Sequence, residues 1–98
     1  MQKVPKTLDN AKVILYSPVD QRHKLTGRTR HTIDGVVFAG AKYLAVCTYG
    51  KNDFYLFYCD ENWEVQTDTL HYSLADAIEQ AEYEYEGVSQ TFQKLDDE

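Results

Sequence analysis

Between Asn52 and Gln93 the chain has no lysine and no arginine, although the same 42 residues hold ten acids. A half with that balance repels a phosphate backbone, which argues against direct nucleic-acid binding. Cysteine is nearly absent, with only Cys47 and Cys59. Two cysteines cannot frame a disulfide scaffold. With no CxxC and no Cys/His pair at zinc spacing, neither metal nor cofactor is expected. The five glycines are scattered at turns, so no glycine-rich phosphate loop exists. No apolar run approaches the roughly 18 residues of a membrane span. The residues Met1–Thr7 carry positive charge without a following apolar block, so a secretory signal is not expected and the reading is cytoplasmic.

The charge that is present is segregated. Residues 1–42 carry eight Lys/Arg against three acids, net +5, and residues 43–98 carry two against thirteen, net −11. A field divided in this way steers charged partners and rejects others. Apolar residues make up 43% and aromatics 13% of the chain, which suits a folded globule and not a disordered acidic tail. Ninety-eight residues make one domain, 1–98, with 1–9 and 96–98 expected to fray.

The pattern predicts an α+β fold: a four- to five-stranded, mainly antiparallel meander with one C-terminal amphipathic helix on one face. Strand-type runs occur at 12–16, 32–38, 42–49, 54–59 and 63–69, separated by Gly, Asn and Asp at hairpin spacing. The helix is expected over 73–86, with Ser73 as N-cap and Gly87 at C′. Leu74, Ala77, Ile78, Ala81 and Tyr85 form its apolar stripe. The two middle strands are apolar on both sides, and one helix covers only one of them. Residues 1–30 and 88–95 are expected to cover the other. An alternative cover is a partner or a second copy, which makes that face a route to homo-oligomers.

Few residues suggest catalysis. A hairpin turning at 50–52 sets Cys47 opposite Tyr55 and Cys59 opposite Tyr43, too far apart to be joined, so both are expected as free, buried thiols. His23, His31 and His71 accompany no nucleophile elbow. The acids are expected on turns and on a solvated helix face, where water keeps them ionised. The helix itself is more telling. At about 100° per residue, Tyr83 points away from the apolar stripe, with Asp76, Glu79, Gln80 and Glu86 around it and Glu82 and Glu84 on the flanks. Glu84 and Glu86 also oppose the helix dipole. Asp76, Glu79, Glu82, Tyr83 and Glu86 are therefore the expected partner-binding set: tyrosine for contact area, acids for attraction to a basic protein.

The run Phe54-Tyr55-Leu56-Phe57-Tyr58-Cys59-Asp60-Glu61-Asn62-Trp63, then Thr67-Asp68-Thr69 and Ala81-Glu82-Tyr83-Glu84-Tyr85-Glu86-Gly87, resembles small acidic bacterial immunity proteins of contact-dependent growth-inhibition and other polymorphic toxin systems. That resemblance implies a non-enzymatic, cytosolic inhibitor that binds a basic toxin domain, often a nuclease. The basic first half of the chain departs from a uniformly acidic inhibitor. Two other readings stand beside it: a regulatory or adaptor module for a non-toxin basic partner, and a small enzyme using carboxylates or His71.

Overall fold

The computed structural model describes residues 3–28, 31–33, 35–37 and 40–95. Its elements are β1 (Thr7–Leu8), β2 (Ala11–Pro18), β3 (Lys24–Leu25), β4 (Thr32–Ile33), β5 (Val36–Val37), β6 (Tyr43–Thr48), β7 (Phe54–Cys59), β8 (Val65–His71), α1 (Leu74–Glu84), β9 (Tyr85–Glu86), a 3₁₀ turn (Val88–Gln90) and β10 (Gln93–Lys94). The fold is α+β. The main sheet runs β1-β2-β6-β7-β8, with β10 beside β1 on the outer edge of β2, and all its pairings are antiparallel.

The β6–β7 register matches the pattern of the sequence, with Tyr43 opposite Cys59 and Cys47 opposite Tyr55. Gly50 and Asn52 supply positive φ in its turn (+85° and +61°). The next hairpin is displaced from its expected start at Trp63. Asp60 builds the turn: its side chain accepts from the backbone of Asn62 (2.8 Å) and Glu64 (2.9 Å). Trp63 sits in the left-handed region at φ +63° and donates its N–H to the Asp60 carbonyl at 3.1 Å, so β8 begins only at Val65. The run 32–38 is not a strand of the main sheet. Gly35, at φ +81°, folds it back into the small β4–β5 hairpin, as the Asp-Gly step in its middle favours; Phe38 lies outside the described residues. Thr7 and Leu8, expected to fray, pair with β2 instead, and Leu8 is buried; residues 96–98 lie outside the described residues.

Both faces of the sheet carry a core. Leu44, Val46, Leu56 and Tyr58 lie under Ala77 and Ala81 of α1 with Tyr85 and Val88. Ala45, Cys47, Phe57 and Cys59 pack on the other face with Leu8, Ala11, Val13 and Trp63, and partly buried Val4 and Leu95 adjoin them. The second face is thus closed by the N-terminal segment, the tail and the Trp63 turn. A register shift between Val13 and Leu15 changes the parity of β2, putting Val13 in one core and Leu15 against the other. Cys47 and Cys59 are free and buried.

The helix forms as its cap predicts, with Ser73 Oγ accepting from Asp76 N at 3.0 Å. It ends two residues earlier than the pattern suggests. The basic loop after β2 takes its last carbonyls: Thr26 N donates to Glu84 O (2.9 Å), and Thr26 Oγ1 donates to Tyr83 O (2.7 Å). Tyr85 and Glu86 then pair with Leu25 and Lys24. Gly87 turns at φ +98°, where a side chain would be strained and its Cβ would stand a tight 3.2 Å from Arg22 O.

Candidate functional site

Of the five helix residues expected to meet a partner, three come together. Asp76, Glu79 and Tyr83 line a shallow surface depression of about 380 Å³ with Gln80 and with His71 at the end of β8. Asp76 and Glu79 are exposed, and Tyr83 is 48% exposed. Among the described residues no cation pairs with either carboxylate. Tyr83 is not bare: Arg28 places its guanidinium carbon 5.2 Å from the ring centroid, a cation–π contact from the basic loop.

Glu82 and Glu86 lie elsewhere. Glu82 turns back to cap the 3₁₀ turn, accepting from Gly87 N at 2.8 Å and Ser89 N at 2.9 Å. Burial pushes its carboxyl up, but the bonds from Gly87 and Ser89 outweigh burial and hold it below the usual carboxylate range. Glu86 stands exposed in β9, opposite Lys24.

Glu84 departs furthest from the reading of the sequence. It is 2% exposed, not on a solvated flank. The Tyr58 hydroxyl donates to Oε2, Gln80 Nε2 reaches the same oxygen at 2.8 Å, and His31 Nε2 meets Oε1 at 2.7 Å. Burial first, and then the bond to the carboxylate, push the Tyr58 phenol up, so it stays protonated and donating. One signal for this burial was present: seven residues rotate a helix by only about −20°, so Glu84 shares the direction of buried Ala77. The three donors come from β7, from the preceding turn of α1 and from the segment before β4, and nothing local in the sequence links them.

The histidines are all engaged. His71 Nε2 lies 2.8 Å from Thr69 Oγ1. His23, whose side chain is fully buried, accepts the Asp20 N–H at Nδ1 (3.1 Å) and meets Thr91 Oγ1 at Nε2 (2.9 Å). Thr91 in turn meets Ser17 Oγ at 2.7 Å. With Nδ1 accepting, the neutral ring carries its proton on Nε2 and donates to Thr91. In that tautomer it holds the hydroxyl in place and does not take its proton.

Among the described residues no three His, Cys, Asp or Glu side chains converge as metal ligands. A wider cleft, about 670 Å³, lies at the far edge of the sheet, where Lys6, Lys12 and Lys94 surround Val13, Ile14 and Leu95. Acids thus line the depression between β8 and α1, and lysines line the cleft at the outer edge of β2. Comparisons of the chain with protein-family models, with curated proteins and with solved structures find no match.

Proposed function

We propose that the protein is a non-enzymatic binding module that takes a basic protein surface on the outward face of α1, and that it serves as an immunity protein masking a basic toxin domain. The observation that carries the binding reading is the division of labour along the helix. Glu82 and Glu84 serve the fold, whereas Asp76, Glu79 and Tyr83 are exposed together. Two carboxylates with no cation beside them among the described residues add little to stability, but they attract a partner's cation to a half-exposed ring that already takes Arg28 on one side. The toxin reading adds the resemblance of the 54–69 and 81–87 segments. An adaptor for another basic partner would use the same residues.

The test starts from a partner identified through the adjacent gene and verified with purified proteins. Folded Asp76→Lys/Glu79→Lys should bind that partner at least about tenfold more weakly, chiefly through slower association, and raised salt should weaken the parent likewise. Tyr83→Ala should cost more than about 1 kcal/mol of affinity. A folded triple variant that binds as tightly as the parent would rule this face out. Rescue of growth when the partner is toxic separates the immunity reading from the adaptor reading.

A further inference from the structure

β8 closes one side of the main sheet. β7 pairs with it along its inner edge, and among the described residues no strand lies along its outer edge. The β7–β8 register shift skips Gln66 and bulges the start of β8, so its regular open edge is Thr67–His71. Such an edge is a template for another chain, and sheets commonly blunt it with lysine or proline. β8 reads Val-Gln-Thr-Asp-Thr-Leu-His and has neither. Its end is also apolar and open: Leu70 is 43% exposed, and Tyr72, just beyond the strand, is 77% exposed.

The register shows what an added strand would meet. Thr67, Thr69 and His71 stand opposite Tyr58, Leu56 and Phe54, the residues of the helix-side face. Asp68 and Leu70 stand opposite Phe57 and Tyr55 on the other face. Side chains alternate along a strand. A strand laid beside β8 would therefore send every second side chain to the helix side, where His71 already shares a depression with Asp76, Glu79 and Tyr83.

We infer that the outer edge of β8 receives an extended, basic segment of the partner. The backbone of that segment continues the ladder, and its alternate Lys or Arg side chains reach Asp76, Glu79 and the Tyr83 ring. The inference rests on the proposed function and adds the form in which the partner binds. Charge selects this occupant over a second copy: antiparallel pairing of two β8 strands brings together two acidic edges of a chain with net charge −6.

The probe is an acetylated, amidated octapeptide alternating lysine with threonine, in three forms: unmodified, N-methylated on its lysine amides, and N-methylated on its threonine amides. Hydrogen exchange of the 65–71 amides and the affinity at low salt are measured for each. The unmodified peptide should slow exchange in β8 at least tenfold. One N-methylated form should lose at least tenfold in affinity while the other binds like the parent, because only one set of N–H groups faces β8. The inference is overturned if the unmodified peptide does not bind, if β8 gains no protection, or if both methylated forms bind equally well. It is also overturned if rising protein concentration alone protects β8, which would show a second copy on the edge. Asp76→Lys/Glu79→Lys separates the two readings. Loss of binding on charge reversal, with indifference to N-methylation, keeps the acidic face and discards the strand; indifference to charge reversal discards both.

Discussion

Glu84 is an acid taken out of water, and its three partners are what make that tolerable. A buried carboxylate without donors is costly, and a buried donor set without its carboxylate is costly too. Glu84→Ala strands the Tyr58 hydroxyl, the His31 ring and the Gln80 amide. It should destabilise the protein by about 3 kcal/mol, whereas Glu79→Ala, about 140° round the helix and exposed, should stay within about 0.5 kcal/mol. Denaturant melts of the two variants measure the contrast, and equal losses would mean that Glu84 is solvated after all. Two glutamates in one helix thus have opposite duties, and rotation about the axis assigns them: Glu79 faces solvent, while Glu84 follows Ala77 inward.

At the scale of elements, the C-terminal end of α1 organises its surroundings. A helix end exposes carbonyls that need donors. Thr26 supplies them from the basic loop, and Arg28 of the same loop covers Tyr83. Part of the charge separation seen in the chain is therefore matched inside the molecule, by the basic loop folding over the acidic helix end. Glu82 then joins the helix to the 3₁₀ turn through two N–H bonds. Its carboxyl is held low when folded, so it contributes stability above the ordinary glutamate pKa of about 4.3 and loses that contribution as pH falls through the lower folded value. Glu82→Gln should cost about 1 kcal/mol at pH 7, and the gap to the parent should close in acid. Parallel melts at neutral and acid pH check this; a gap that persists in acid would show that the carboxylate charge is not the cause.

For the whole molecule, two cores on opposite faces of one sheet mean that neither can open without disturbing the strands they share. Cys47 and Cys59 sit in the second core, and their thiols report on it. Burial, with smaller contributions from the charges of Asp60 and Asp9, pushes Cys59 up to about 12, and burial pushes Cys47 higher still. Native protein at pH 8 should resist a thiol reagent, and both thiols should react together on unfolding. Mass spectrometry during a denaturant series checks this. Labelling of either thiol well before the global transition would show that the second face opens on its own.

Local rules sufficed for much of the fold. The β6–β7 register follows from turn chemistry and period-two alternation, and the N-cap of α1 follows from Ser73, because those preferences act over a few residues. The outward set Asp76, Glu79 and Tyr83 follows from helical rotation alone. What tertiary structure decided lies at meetings between distant segments. The loop bearing Thr26 ended the helix at Glu84, and Tyr58 and His31 turned an expected surface acid into a core residue. β2, and not the 32–38 run, took the place beside β6. Each of these depends on contacts between residues 25 to 58 positions apart, and no pattern of near neighbours encodes them.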